Sequence, residues 1–390
     1  MSIKDAYISG IKRAFDETPF AKWLKAEGVA IHEGFTVEDV RELELAPWPR
    51  IGGKAVFITL YSLMEAGNGL YLAEIPPGGS LEPERWCCQK IMFVEQGSGT
   101  TEIWQEGDTR KRVFEWGRGS VFAIPINAWH RMHNVGSEPV KFLAMTTAPL
   151  VMKGYGSADF VFNCPYVFRD MYSGDDEKFF VESTVRYQVG RPGRTSNVWE
   201  TNFIRDAWGA ELQDSNKAYG RQAAGFRMAN KTFAGHVDQW PVGRYHQAHF
   251  HGPGRLLHPL RSEGFVMLWP RQLGTRPFED GHGDEVVVEP WKAGGLYSPP
   301  ADWFHAHFNT GPEPARQLAF YGASGFESLT PRREGAFSET QESVTVGGRL
   351  IDYADEDPEV RRLFKAELDK KGIPFDMPDS LFERKEPVTA

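Results

Sequence analysis

Apolar and polar positions recur with two different periods along this chain, and the change of period divides it. Between Ile3 and Phe15 apolar residues fall at helical spacing. Thr18-Pro19 then reads as an N-cap followed by proline in the first helical turn, and Gly28 ends that helix. A further capped helix is predicted to start near Thr36. From Ala55 onward the pattern becomes short runs rich in Val, Ile, Phe and Thr, broken by Gly and Pro roughly every 8–12 residues, the rhythm of an all-β sandwich or barrel. Helix returns near the C-terminus, where Asp357 caps, Pro358 takes the first position and residues 359–371 follow until Gly372. The last dozen residues, polar and proline-containing, read as a loosely held tail.

The β-rich part repeats. Shifted by 165 positions, Gly78 falls on Gly243, Gly99 on Gly264 and Trp104 on Trp269. Further along the shift becomes 175, and Gly119, Pro125, His130 and Asn134 fall on Gly294, Pro300, His305 and Asn309. The difference fits an insertion in the Gly- and Asp-rich stretch near Gly274 to Glu285. Two similar β-domains follow from this self-similarity. The expected division is a helical extension over 1–54, a first β-domain over 55–150, a connecting segment with strands over 151–225, a second β-domain over 226–326 and a helical tail over 327–390.

Composition narrows the class. The 390 residues are 41% hydrophobic and 25% charged, ample for globular cores. A net charge of -9 with no basic run argues against a nucleic-acid partner. The three cysteines, Cys87, Cys88 and Cys164, suit neither a disulfide framework nor a zinc ribbon. Without an apolar run of about 18 residues or a signal-peptide core, the expectation is a cytoplasmic protein with no membrane partner.

The histidines carry the chemistry. Seven of the 11 lie between His246 and His307. In an extended strand His249 and His251 present both imidazoles on one face, and His305 is the candidate third ligand. Neutral imidazoles at this spacing suit one divalent metal per chain, with Fe, Zn, Ni, Cu and Mn all compatible.

These segments resemble the paired motifs of the cupin superfamily, G-x5-H-x-H-x3/4-E-x6-G and G-x5-P-x-G-x2-H-x3-N. The second fits at Gly294, Pro300, His305 and Asn309, with Asp302 replacing the middle glycine. The first fits at Gly243, His249 and His251, but Arg255 and its neighbours stand where the family has glutamate. The resemblance covers about 55–325 and implies a bicupin: two jelly-roll (double-stranded β-helix) barrels in one chain, with helical N- and C-terminal extensions. A three-histidine site without the glutamate resembles gentisate- and salicylate-type ring-cleaving dioxygenases, which implies Fe(II), dioxygen and a hydroxylated aromatic or hydroxy acid as the small-molecule substrate. In those relatives the metal lies in the N-terminal cupin, whereas here the N-terminal copy is the degenerate one. The alternatives are a non-oxidative metal-dependent lyase or isomerase, and a non-catalytic small-molecule-binding cupin. Exposed barrel sheets make a homodimer or higher homo-oligomer the expected assembly.

Around the metal ligands, His307, Arg255 and Gln247 are the candidate catalytic residues, and Arg244, Trp303 and His258 the candidate substrate contacts. Arginine forks clamp carboxylates. On a regular strand His246 faces away from His249, while Gln247 shares its side. In the first copy Glu84, Trp86 and His130 occupy the matching positions, a degenerate site. Glu82, Glu84 and His130 are the set that a carboxylate-rich variant site would use.

Overall fold

A computed structural model describes residues 2–384 apart from 175, 177, 192–193, 230–231, 253 and 322–341. Two helices, Ile3–Asp16 and Pro19–Glu27, open the chain; Thr18 caps the second and Gly28 closes it in the left-handed conformation. The helix expected near Thr36 is not formed. Thr36–Val37 is instead a short strand on Leu296–Tyr297, and Ala30–Gly34 pairs in parallel with Gly53–Leu60. Asp39 caps only a single 3-10 turn, Val40–Glu42. The extension over 1–54 is therefore part helix and part strand. Its strands satisfy edge groups of both large sheets, a tertiary demand that outweighs a local capping signal.

Each β-domain is a pair of mainly antiparallel sheets. In the first, strands Gly69–Ile75, Val140–Thr146, Lys90–Gln96 and Val121–Ile124 form the centre of the larger sheet, and Trp129–Asn134, Ser98–Trp104 and Arg112–Gly117 the smaller. In the second, Phe233–Trp240, Ala315–Phe320, Leu256–Arg261 and Leu296–Tyr297 repeat the larger sheet in the same order. Tyr245–His249, Trp303–Asn309, Glu263–Pro270 and Val287–Lys292 form the smaller. The register repeats too: Glu84 bridges His130 and Ser80 bridges His133, as His249 pairs with His305 and Tyr245 with Phe308. This order and register are those of two jelly-roll barrels.

The boundaries blur where strands are shared. Phe203–Ile204, from the connecting segment, pairs with Val121–Ile124 of the first barrel, while Arg221–Met228 already belongs to the second barrel's large sheet. That sheet's outward face, with Met228, Val237, Leu318 and Phe320, is buried in one hydrophobic core with the first barrel. A second core joins the smaller sheet to the C-terminal segment through Tyr245, Phe308, Ile351, Tyr353 and Phe364. The final helix, Pro358–Lys371, has the expected Asp357 cap and Gly372 terminator. The tail's first part, up to 341, and residues 385–390 lie outside the described residues. No described helix is long and apolar enough to cross a membrane.

Candidate metal centre

His249, His251 and His305 come together in the second barrel, with ligand atoms all within 4.8 Å of one another. Pairing of His249 with His305 sets two of them side by side, and the end of strand Tyr245–His249 carries His251 to the same point. Ring centroids stand 4.3 Å apart for His249 and His305, and 4.5 Å for His251 and His305. Each ring is oriented by a carbonyl, which can only accept. Nδ1 of His249 donates to Gln247 O at 3.0 Å, that of His251 to Gly252 O at 2.8 Å, and that of His305 to Trp303 O at 3.1 Å. The Nδ1 protons being so placed, every Nε2 carries a lone pair. His305 Nε2 is buried and lacks a hydrogen-bond partner. Three convergent lone pairs, one of them otherwise orphaned, fit a divalent ion.

Burial keeps the triad neutral. Desolvation holds His251 and His305 well below the ordinary histidine range and brings His249 down to about 4, with the charge of Arg255 adding to the effect at His249 and His251. Neutral imidazole is the ligand form.

The triad opens on a cavity of about 230 Å³ whose opposite wall is the inner face of the large sheet. Arg255 and His307 line it. So does His246, contrary to the parity of a regular strand, because the register slips between His246 and His249. The slip brings the two rings to 4.4 Å, and His246 also stacks on Tyr219 at 4.9 Å. The same irregularity turns Gln247 out of the cavity: its Nε2 donates to Ile351 O. His246, His249 and His307 form a second close imidazole group sharing His249. His307 differs in tautomer from the metal triad, because its Nδ1 faces the Tyr297 hydroxyl at 3.0 Å and that oxygen accepts from Gln317 Nε2 at 2.6 Å. Tyr297 thus donates to Nδ1, which leaves the His307 proton on Nε2.

Three sequence-derived substrate contacts lie elsewhere. Arg244 is drawn out to an ion pair with Asp376 at 2.9 Å. Trp303 packs under the first helix against Tyr7 and Phe35. His258 alternates with cavity-facing Leu257 and so faces the first barrel, where Nε2 meets Glu95 at 2.9 Å and Nδ1 meets Gly295 O.

The sequence reading missed a polar belt on the opposite wall. Arg255 lies over the Tyr321 ring at 4.6 Å; Tyr321 hydrogen-bonds His236, and His236 lies 3.7 Å from Asp238. Arg221 donates to Asp238 at 2.8 Å. Burial opposes ionisation of Asp238, but Arg221 and His236 hold its carboxyl below the usual range. Period-two alternation along Arg221–Met228 and Phe233–Trp240 was the available signal, since Arg221, His236 and Asp238 all sit on the inward parity. Leu350, from the C-terminal segment, completes the wall beside His249.

The equivalent point of the first barrel is filled from within. Lys90, absent from the sequence-derived set, puts its ammonium on the Glu84 carboxylate and 3.3 Å from His130 Nε2. Trp86 donates to the other Glu84 oxygen at 2.7 Å and stacks its ring beneath the ammonium. Glu82 takes no part in this cluster. A buried ammonium therefore stands where the second barrel gathers lone pairs, and these residues do not fit a metal.

Residues 71–146 match the family model described as Cupin domain. No curated protein sequence matches the chain. Among solved structures, a tryptophan-to-tyrosine variant of oxalate decarboxylase from Bacillus subtilis has a TM-score of 0.45 at 14% identity, covering 74% of this chain and 77% of that one. An arginine-to-alanine variant of the same protein has a TM-score of 0.45 at 15% identity with the same coverage. Likeness at that level carries no argument about chemistry, and the two-barrel description rests on strand order and register. Residues 71–146 thus resemble a cupin domain, and after them comes a second barrel of the same strand order whose mouth gathers three histidines.

Proposed function

We propose that the second barrel is a metal-dependent active site for a small organic acid, with non-oxidative chemistry of the lyase or isomerase kind. The observation that carries this reading is the set of proton-handling imidazoles beside the ligand triad. His249, His251 and His305 would hold one divalent ion, which supplies Lewis-acid polarisation of a substrate carbonyl or carboxyl group. Arg255 offers its guanidinium to the substrate carboxylate. His307 holds a proton at Nε2, fixed there by Tyr297, in reach of a substrate atom at the cavity floor. His246 lines the same floor and makes no hydrogen bond among the described residues, which leaves a nitrogen to accept a proton. Leu350, Leu257 and the stacked Tyr219 restrict water.

A second reading is a dioxygenase, with Fe(II) in the triad. The donor set favours it, because three histidines without a carboxylate resemble the site of ring-cleaving dioxygenases. One experiment separates the two: metal analysis of the purified protein, then turnover of a panel of hydroxy and aromatic acids with and without dioxygen. Turnover that proceeds anaerobically and is lost with the metal in His249→Ala supports the non-oxidative reading. Turnover strictly coupled to oxygen uptake overturns it in favour of the dioxygenase.

A further inference from the structure

The two barrels place a cation at the same position of the repeat. Lys90 and Arg255 are related by the 165-residue shift, as are Glu84 and His249. In the first barrel this cation reaches the centre of the cluster and is neutralised there by Glu84, at the position of the first ligand. In the second barrel that position is His249, so the internal carboxylate is gone and the cation remains. Arg255 lines the cavity with His249 and His251 and, among the described residues, meets no carboxylate; its guanidinium lies over the Tyr321 ring. Asp238, on the same cavity wall, is already taken by Arg221 at 2.8 Å.

Charge bookkeeping then decides. Three neutral imidazoles contribute no negative charge, and a divalent ion among them would sit beside a guanidinium in a buried pocket. Two cations in a low-dielectric site without a counter-charge are mutually disfavoured. We infer that a small organic carboxylate from solution, taken up beside Arg255, supplies the charge that Glu84 supplies in the first barrel, so that metal and carboxylate bind with positive coupling. Coupling of this kind is reciprocal: the acid tightens the metal by the factor by which the metal tightens the acid. The inference rests on the reading of the triad as a metal site. Arg255 acts as a specificity-determining residue that selects acids and makes metal retention depend on them.

The test reads metal affinity, with cobalt(II) as probe. Apo protein is titrated calorimetrically in a non-coordinating buffer, with and without saturating acetate or glycolate. The expected result is an affinity at least about tenfold higher with carboxylate for the unaltered chain. Arg255→Glu, which restores an internal carboxylate, reaches that higher affinity alone and gains less than about twofold from added acid. Arg255→Gln, the milder change, also loses most of the carboxylate effect while its circular dichroism matches the parent. Cobalt that binds through His249, as judged by its loss in His249→Ala, with equal affinity in the presence and absence of both acids overturns this inference and leaves the metal site standing. No cobalt uptake by the unaltered chain under any condition overturns the metal site and the inference together.

Discussion

Lys90 offers the sharpest test of how the first barrel is held. Its side chain is almost wholly buried, and its ammonium is balanced by the Glu84 carboxylate and by the Trp86 and Tyr71 ring faces. Lys90→Met keeps the length and apolar stem but strands Glu84 in a protein interior. Removing one partner of a buried pair costs about 3–5 kcal/mol, most of it the unpaired charge left behind. His130 modulates the loss. In the intact cluster, burial and then the Lys90 charge hold its pKa below the ordinary value, against the pull of Glu84. With Lys90 gone, His130 Nε2, 3.2 Å from Glu84, can take up a proton and restore a charge pair. Its folded pKa then rises above the unfolded value of about 6.5, so the compensation is present below that pH and disappears as pH rises through the new folded pKa. The expected destabilisation is about 3–5 kcal/mol at pH 8.5, reduced by about 1–2 kcal/mol near pH 5.5. Glu84→Gln/Lys90→Met removes both charges and should lose only about 0–2 kcal/mol. Urea unfolding followed by tryptophan fluorescence at the two pH values measures all three. A Lys90→Met loss under about 1 kcal/mol at pH 8.5, or a double variant as unstable as the single, refutes the reasoning.

Other expectations follow from single residues. His305→Ala should lower metal affinity by roughly a hundredfold or more while the fold persists, since the one hydrogen bond it removes is Nδ1 to Trp303 O; equilibrium dialysis decides, and Glu84→Ala is the matched control that should leave metal content unchanged. Glu356 is buried against the Tyr245 hydroxyl, and desolvation raises its pKa to about 8. Its burial costs nothing below about pH 4.5 and progressively more as pH rises to 8, so Glu356→Gln should gain up to about 4 kcal/mol at pH 8.5 and under about 1 kcal/mol at pH 5; equal gains at both would contradict the shift. Asp302 holds φ of 56° where the motif has glycine. Asp302→Gly should leave thermal stability nearly unchanged, whereas Asp302→Val should cost about 1–2 kcal/mol by calorimetry.

Most of the architecture was legible because it is written twice. Gly, Pro and Asn of the repeat mark turns whose backbone demands are local, and even the departures agree: Asn127 and Asp302, at matching positions, are both residues that tolerate positive φ. The convergence of His249, His251 and His305 was legible for the same reason, since alternate strand positions and a matched turn frame fix three side chains. The losses came where geometry is not local. One register slip after His246 exchanged the roles of His246 and Gln247, and nothing in Tyr-His-Gln-Ala-His marks a bulge. Arg244 was read as a pocket residue because it flanks the histidine strand, yet Asp376, more than a hundred residues away in sequence, claims it. Lys90 escaped notice because a lysine six residues after a glutamate is ordinary until both are buried.

The first barrel's contribution to the second is mechanical, and the core shows how. The large sheet of the second barrel has two faces of opposite character: Arg221, His236, Asp238 and Gln317 point into the cavity, and Val237, Leu318 and Phe320 point away. A strand alternates by necessity, so a polar inner wall can be kept in register only if the apolar outer wall is also buried. The first barrel supplies that burial. It pins the interface with His258, held between Glu95 and Gly295 O at almost zero exposure. Slippage of any of these strands by one residue would expose the apolar row to the cavity and drive Arg221 and Asp238 into a hydrocarbon interface, at a cost far above a typical domain's stability margin. The first barrel, its own centre filled by Lys90, therefore still fixes the polar wall facing the histidines. That accounts for a first barrel whose own centre is closed by Lys90 and whose apolar residues share one core with the second.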